Sequence, residues 1–383
     1  MSNPNKIDAP QLFAGFATLM SVSFLDNIRG PLLPVLRDEL GINNAATGYF
    51  LTIGSFSAIA ATLMLGRLLR FYQEKKVCVL VCLFCAIPGG IAPFVSSVSQ
   101  LMLLGLVMGS SVALMGSTCN IHAINGSPAH LRGKLLSIQQ VMYGIGSFLA
   151  PFGFAYLYGA AWPWWTAIVI IALVNCGLAV VLQISLSPSP VIAPEASKQK
   201  LSLKLALPVV LFAIFVGGEV LTSMWMSTYL IQVANLEAPT AARLNSYFFL
   251  VIGITRVAIF LFLPERWERT VIIIALAVGI GFILLSLSGF YQLLPLAGLV
   301  GPFFPLFMTQ VSKVFPTSWK NMTIWIFASI QFMLGCIHLS VGNLADIIGI
   351  GSAYYLGPSL IFIALILVII FFRVYPLPSQ RSA

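Results

Sequence analysis

Four charged residues lie deep inside long apolar stretches of this sequence, where a charged side chain is costly. Asp26 and Arg29 are three residues apart, and Glu219 and Arg256 lie within two later stretches. An ionised group in hydrocarbon costs several kcal/mol unless it is paired or in contact with water. Charged side chains retained in such places indicate a polar path for a solute or an ion.

Both carboxylates are candidates for carrying a proton or for binding a solute. Asp26 and Arg29 share one helical face, because residues three apart lie about one turn apart. A structural ion pair that never titrates is the alternative role for Asp26. Glu219 has no basic residue within one turn, and its alternative is a buried pair with Arg256. We predict that Asp26, Arg29 and Glu219 bind solute and that the two carboxylates couple its movement to protons.

Two histidines in apolar stretches are further candidates for proton coupling, because histidine titrates near neutral pH. They are His122 and His338. His122 lies close to the end of its stretch, so a histidine that is simply wetted by water is the plainer interpretation. His338 is a candidate for the path on residue type alone.

Uncharged polar residues in other apolar stretches suit a hydroxyl-rich or amphipathic solute. We predict that four amides and one tryptophan contribute to binding: Asn27, Asn120, Gln310, Gln331 and Trp225. A tryptophan ring can stack on the C–H face of a sugar, whereas an ordinary packing role is the alternative. This set points to a polar solute without identifying it.

Long apolar helices must hold these residues, and the amino-acid composition is that of a chain built from such helices. Of the 383 residues, 59% are hydrophobic and 8% are charged, whereas an average soluble domain has roughly 25% charged residues. A helix needs about 20 residues to cross the hydrocarbon core. Twelve stretches meet that need: 10–36, 45–70, 77–97, 99–125, 134–158, 161–186, 205–234, 240–262, 270–289, 291–315, 322–346 and 352–375.

A Pro/Ser-rich and then basic segment divides the chain near its middle and reads as a linker. We therefore predict a bundle of six helices over 1–186, a linker over 187–204 and a second bundle over 205–383. Sixteen of the twenty Lys and Arg residues fall at one set of ends and connections. By the positive-inside rule these ends are cytoplasmic, with both termini among them. This arrangement predicts a multi-pass protein of the cell inner membrane.

The same pattern argues against several functional classes. No connection exceeds about twenty residues, so no soluble catalytic domain fits, and no Walker phosphate-binding motif is present. We expect no enzyme, no metal site and no cofactor, because no cluster has metal-ligand spacing. The net charge of +9 is spread over short connections rather than one basic surface, so we expect no nucleic-acid partner. The expected partners are a small solute, a proton and the lipid bilayer. We expect the protein to be a monomer.

The connection between the second and third stretches resembles the loop motif of the major facilitator superfamily, Gly-x-x-x-Asp-Arg-x-Gly-x-Arg-Arg. The segment here reads GRLLRFYQEKK; it matches at Gly66, Lys75 and Lys76 and departs at Arg70, Phe71 and Gln73. The segment from Gly126 to Phe152 is similar to the region between the fourth and fifth helices of that family. The resemblance implies twelve helices in two pseudosymmetric bundles, with a solute site near the midplane lined by the first, fourth, seventh and tenth helices.

Three segments are similar to the fucose/glucose/galactose symporter branch of that family: FLDNIRGPLLPVL, FVGGEVLTSMWMSTYL and GLVGPFFPLFMTQVSKVFP. The acidic residues that this branch carries in its first and fourth helices fall on Gly30 and Gly116 here. Any proton coupling must therefore use other groups.

Two functions follow as expectations. The first is a secondary active transporter that imports a monosaccharide or similar small polar solute with protons. The alternative is a proton-antiport exporter of a metabolite, siderophore or drug, because one fold supports both directions. A transport-inactive membrane scaffold is a third interpretation, although buried charges would be a costly way to build one.

Overall fold

The computed structural model describes residues 7–128, 130–187, 203–316 and 318–376, and over these residues the chain is helical without any strand. The predicted linker 187–204 lies outside the described residues except at its two ends. Two helices that meet at a short break are treated as one span.

The first six spans occupy the first half of the chain. Their bounds are Ala9–Asn27 with Arg29–Leu40 (span 1), Asn44–Phe71 (span 2), Glu74–Phe84 with Ile87–Ile91 and Ala92–Phe94 (span 3), Val98–Asn125 (span 4), Arg132–Gly159 (span 5) and Thr166–Ser185 (span 6).

Six more spans follow in the second half. Their bounds are Leu203–Met224 with Met226–Gln232 (span 7), Ala238–Phe262 (span 8), Glu268–Leu287 (span 9), Tyr291–Val300 with Phe303–Val314 (span 10), Trp319–Ile348 (span 11) and Ile350–Ala353 with Leu356–Val374 (span 12). The predicted stretches match these spans to within a few residues at each end.

Eleven of the twelve spans are long and apolar enough to cross a membrane by length and composition. Span 1 misses that standard because it breaks at Ile28 and because its longer helix carries Gln11, Asp26 and Asn27. It nevertheless packs against spans 4, 5 and 6, in the middle of the first half. Two of these polar residues, Asp26 and Asn27, belong to the site described below.

Prolines account for the breaks in spans 1 and 10. A proline inside a helix removes a backbone donor, and its ring clashes with the carbonyl group four residues earlier. For Pro31 that carbonyl belongs to Asn27, where the first helix of span 1 ends. For Pro305 it belongs to Gly301, which precedes the second helix of span 10. Each of these two spans is therefore broken within one turn of a proline.

Glycines set how closely the spans approach one another. Inside the first half, a Cβ added at Gly109 of span 4 would collide with the backbone of Gly54 in span 2. Between the halves, a Cβ at Gly48 of span 2 would lie 2.6 Å from the carbonyl oxygen of His338 in span 11. Small residues allow membrane helices to pack at such short separations. The halves meet mainly through spans 2 and 11 and through spans 5 and 8.

Candidate functional site: charged residues between the two halves

The break in span 1 places Asp26 and Arg29 together. The guanidinium group of Arg29 forms an ion pair with Oδ1 of Asp26, and its Nε donates to the backbone oxygen of Asp26 at 3.0 Å. From span 5, the hydroxyl group of Tyr143 donates to Oδ2 of Asp26 at 2.8 Å. Both oxygens of the carboxylate therefore have a donor, in agreement with the ion-pair alternative for Asp26.

Asn27 fastens the same break to span 5. Its Nδ2 donates to Oγ of Ser147 at 3.0 Å and to the backbone oxygen of Ser23 at 2.9 Å. The side chain is buried. Asn27 therefore holds span 1 in place beside Asp26, and its amide is already engaged inside the protein.

Spans 7 and 8 contribute a second and looser ion pair. Nη2 of Arg256 lies 3.6 Å from Oε1 of Glu219, and Nε of Arg256 donates to the backbone oxygen of Gly301 at 3.2 Å. A separation of 3.6 Å exceeds the length of a hydrogen bond. The side chains are 12% exposed for Glu219 and 28% exposed for Arg256. The pair that was the alternative for Glu219 thus exists, with both members still accessible.

The two ion pairs approach one another through span 5. Tyr143 contacts Asp26 and also lies within electrostatic range of Arg256. Next to Tyr143, a Cβ added at Gly144 would lie 3.9 Å from the Cα atom of Gly253, one turn before Arg256. Span 5 thus lies beside both ion pairs, and we call the five side chains on it and on either side of it the charged centre: Asp26, Arg29, Tyr143, Glu219 and Arg256.

His338 and Trp225 lie beside this centre. Nε1 of Trp225, at the break in span 7, donates to Nδ1 of His338 in span 11 at 3.3 Å. A neutral His338 then carries its own hydrogen on Nε2. Arg29 is close enough for its charge to act on His338. Trp225 is fully buried, which fits the packing alternative and leaves its ring no face for a sugar in this conformation.

Three other predicted residues are not drawn into the charged centre. Gln310 is buried near the start of span 9, where its Nε2 donates to Oε2 of Glu268 at 2.6 Å and its Oε1 accepts from Nε of Arg269 at 3.0 Å. Asn120 is exposed and donates within its own helix. Gln331 is half-buried in span 11, two turns before His338.

His122 is buried in this conformation, so the expectation that water wets its side chain is wrong here. Its side chain is 1% exposed, and its Nδ1 lies 2.5 Å from Oε1 of Gln11 at the start of span 1. Span 4 packs closely on span 1, which shuts water out of this position. His122 thus lies near the helix ends and away from the charged centre.

Hydrogen bonds join the two halves at the end where span 1 finishes and span 2 begins, which we call the closed end. The carboxylate of Asp346 in span 11 accepts the backbone hydrogens of Asn44 at 2.9 Å and Ala45 at 2.8 Å. These N–H groups belong to the first turn of span 2, where helical partners are lacking and a negative charge is favoured. The side chain of Asn44 also accepts from Nε2 of Gln232 in span 7 at 2.9 Å.

At the opposite end, which we call the open end, several residues on the central helices face empty space. A Cβ added at Gly116 of span 4 or at Gly253 of span 8 would meet no atom within 4 Å. The side chains of Asn120 and Trp325 are exposed. From these open positions and the partial exposure of Glu219 and Arg256 we infer a cleft that enters from this end.

Sequence reasoning missed Tyr143, Ser147 and Asp346. Tyrosine and serine are common in membrane helices, and no spacing sets Tyr143 or Ser147 apart from other such residues. Asp346 lies at the end of an apolar stretch, where an acidic residue is unremarkable. Their roles depend on contacts with residues more than a hundred positions away, which only the fold reveals.

Among the described residues, no group of three His, Cys, Asp or Glu side chains is arranged to hold a metal ion. The cysteines of span 3 (Cys78, Cys82 and Cys85) are buried with Cys119 of span 4 in one apolar cluster. Burial among apolar side chains is typical of cysteines that act as small packing residues.

Comparisons with solved structures find the same fold. A mutant form of the nucleoside transporter NupG has a TM-score of 0.75 at 15% identity, covering 95% of this chain and 100% of that one. The D-xylose-proton symporter has a TM-score of 0.75 at 15% identity, covering 94% and 96%. The transporter FucP in its outward conformation has a TM-score of 0.64 at 15% identity, covering 94% and 99%. At such identities these likenesses show the fold alone.

Sequence comparisons give the family. A search of curated proteins finds no match. The sequence profile of the Major Facilitator Superfamily matches residues 12–339, which is most of the chain. The profile match, the twelve helical spans and the structural neighbours agree, and the chain belongs to the Major Facilitator Superfamily.

Proposed function

We propose that this protein is a secondary active transporter that imports a small polar solute together with protons by alternating access. The observation that carries the proposal is the charged centre, whose two ion pairs lie between two halves that are joined at one end and apart at the other. Charged groups at this depth are stable only where water or a partner reaches them. A solute held between the halves would lie against these groups.

The closed end supplies a gate for this cycle. The contacts of Asp346 and Gln232 with span 2 are hydrogen bonds between the halves, and rocking the halves would break them while the open end closes. With the basic connections on the cytoplasmic side, the open end faces the cytoplasm of the inner membrane. The rocking bodies are then the predicted bundles 1–186 and 205–383, joined by the linker 187–204.

Glu219 is the better of the two carboxylates for carrying the proton. Asp26 is held by Arg29 on one oxygen and by Tyr143 on the other. Among the residues that the structure describes, Glu219 is paired with Arg256 alone, at a distance that leaves room for another group. A proton on Glu219 removes the charge that attracts Arg256, so loading and release of this proton can change what Arg256 binds.

The solute class expected from the sequence was a monosaccharide, and two of the neighbouring structures are a D-xylose-proton symporter and FucP. Trp225 and Gln310, two of the residues predicted to bind such a solute, are occupied elsewhere in this conformation. The proposal therefore stands on the charged centre and specifies a small polar solute.

One observation favours the exporter as a second candidate. An open apolar groove of about 400 Å³ lies between spans 7 and 11, and its lining includes Ile214, Trp325, Phe332 and Met333. An amphipathic solute could place its apolar part there. Extrusion of such a compound in exchange for protons uses the same fold and the same charged centre.

Purified protein in liposomes tests the two directions. With an imposed pH gradient, we expect accumulation of a labelled polar solute from a panel of pentoses, hexoses, nucleosides and sugar acids, and no accumulation once a protonophore removes the gradient. Empty liposomes are the control for leakage. If the panel is not accumulated while amphipathic dyes are extruded, the exporter replaces the importer. If neither movement responds to the gradient, proton-coupled transport is wrong.

A further inference from the structure

We propose that the transported solute carries one carboxylate, which binds Arg256 in place of Glu219 while Glu219 takes up one proton. This inference rests on the proposed transport function and names the chemical class of its solute. It also sets the stoichiometry at one proton for each monoanion.

Arg256 has unused donor capacity. An arginine side chain has five N–H donors, and in Arg256 one of them bonds the backbone oxygen of Gly301. The nearest carboxylate oxygen, from Glu219, is 3.6 Å from Nη2. The planar guanidinium fork matches a carboxylate in two parallel hydrogen bonds. Arg256 is therefore more exposed than Arg29, and it has N–H donors without a partner among the described residues.

Arg29 does not compete for this role. Its fork is engaged by the side chain of Asp26 and by the backbone oxygen of the same residue. Its remaining Nη1 faces the close packing of span 2 at Gly54. The two arginines therefore have different roles: Arg29 stabilises the break in span 1, and Arg256 faces the cleft.

The balance of charge selects an anion that travels with a proton. The charged centre holds two acids and two bases, so its net charge is zero. A neutral solute with a proton would leave one uncompensated positive charge, and an anion alone would leave one negative charge. An uncompensated charge away from water is strongly unfavourable. A monoanion with one proton leaves the net charge at zero both in the loaded and in the empty centre.

Glu219 is the acceptor of that proton because the other titratable groups of the charged centre, and His338 beside it, are engaged. Arg256 is the charged group that faces Glu219. Asp26 is paired with Arg29 and accepts from Tyr143, and Nδ1 of His338 accepts from Trp225. No hydrogen bond to Glu219 is found among the described residues. Its carboxylate is therefore free to receive a proton from water in the cleft.

The proton moves from water to water with no other reactant. On the side where the solute binds, an oxygen of Glu219 accepts a proton, and Arg256 then bonds the solute carboxylate. After the cleft opens to the other side, Glu219 returns the proton to water and its carboxylate regains Arg256. The recovered ion pair displaces the anion, which couples release of the solute to release of the proton.

Ligand pairs that differ in one carboxylate test this proposal on the purified full-length protein. We would measure thermal stabilisation and dissociation constants for glucose with glucuronate, galactose with galacturonate, and short aliphatic and aromatic carboxylates with their amides. We expect carboxylates to bind and their neutral counterparts to bind at least about tenfold more weakly, as the loss of a charged hydrogen bond implies. If the neutral compounds bind as tightly as the carboxylates, the proposal is wrong. It is also wrong if none of the carboxylates in the panel binds.

Two substitutions then separate the roles of the pair. Arg256→Gln should weaken carboxylate binding by about tenfold to a hundredfold, whereas Arg243→Gln, in the same span but exposed and bonded to Thr240, should leave it unchanged. Glu219→Gln, which resembles the protonated acid, should keep the binding. Wild-type affinity should rise about tenfold for each unit of falling pH while the free Glu219 is ionised, and the Glu219→Gln protein should lose this dependence. Wild-type binding by Arg256→Gln contradicts the assignment.

Transport distinguishes a failure of this inference from a failure of the proposed function. Uptake of a monoanion with one proton moves no net charge, so clamping the membrane potential with valinomycin and potassium should leave uptake driven by the pH gradient unchanged. Uptake of a neutral solute driven by the same gradient would overturn the anion while proton coupling stands. No response of any solute to the gradient would overturn proton coupling itself.

Discussion

The hydroxyl group of Tyr143 donates a 2.8 Å hydrogen bond to Oδ2 of Asp26. This contact joins the middle of span 5 to the break in span 1, across 117 positions of sequence. It gives the second carboxylate oxygen a partner that the ion pair with Arg29 does not supply. The carboxylate of Asp26 is thereby held through both of its oxygens.

Tyr143→Phe should keep the fold and slow transport. The phenyl ring preserves the packing, while Asp26 loses a hydrogen bond of about 1.5 kcal/mol, so uptake should fall about tenfold. The matched control is Tyr156→Phe, in the same span but on an exposed face, and it should transport normally. The measurement compares the initial uptake rates of the two purified variants with the wild-type rate, after their thermal stabilities are shown to be equal. Equal rates would remove Tyr143 from the mechanism.

Glu219→Gln should separate exchange from accumulation. Without a group that loads and releases the proton, the pH gradient cannot drive uptake, while solute exchange across the membrane continues. The control is Glu237→Gln, an exposed residue at the start of span 8, which should accumulate solute like the wild type. The measurement compares gradient-driven uptake with counterflow in liposomes. Normal accumulation by the Glu219→Gln protein would assign coupling to another residue.

Asp346→Asn should weaken the closed end. An asparagine has one acceptor oxygen and no charge, so span 2 loses one of two hydrogen bonds and the favourable charge at its first turn. A loss of about 1–2 kcal/mol shifts the population toward separation at this end by about fivefold to thirtyfold. Distances between spin labels on spans 2 and 11 would report the shift. Asp38→Asn, which breaks an exposed pair with Arg37 inside span 1, should leave those distances unchanged.

Two glycines should respond differently to the same substitution. Gly109→Ala places a methyl group against Gly54 within one half, so every conformation is strained and thermal stability should fall by about 1–3 kcal/mol. Gly48→Ala strains only the contact with span 11 between the halves. It should therefore open the closed end with a small loss of stability. Gly116→Ala, which enters open space, is the control for both measurements.

The sequence predicts the spans well because one physical quantity, the length of an apolar run, sets them. The breaks in spans 1 and 10 are also predictable, because Pro31 and Pro305 act on a carbonyl group at a fixed distance along the chain. Span 1 is the exception: Asp26 and Asn27, which bond to span 5, also lower its hydropathy. The span that carries these contacts therefore has the weakest membrane signal.

The site is only partly predictable, because side-chain partners depend on how the spans pack. Both ion pairs were foreseen as alternatives for Asp26 and Glu219, since charge and spacing limit the choice of partners. Gln310 was chosen by residue type, yet span 9 supplies it with Glu268 as a neighbour. Trp225 was chosen for its ring, yet the break in span 7 buries it against His338. Residue type limits the candidates, and packing decides among them.

Water access to the charged centre tests the account most directly. In a variant without the six native cysteines, Gly116→Cys and Gly253→Cys place thiols in open space on central helices, and Gly177→Cys places one in equally open space on the exposed apolar face of span 6. A membrane-impermeant thiol reagent applied at the open end should modify the first two and spare the third. If the first two resist the reagent from both sides of the membrane, no watery cleft reaches the charged centre, and the proposed mechanism is wrong.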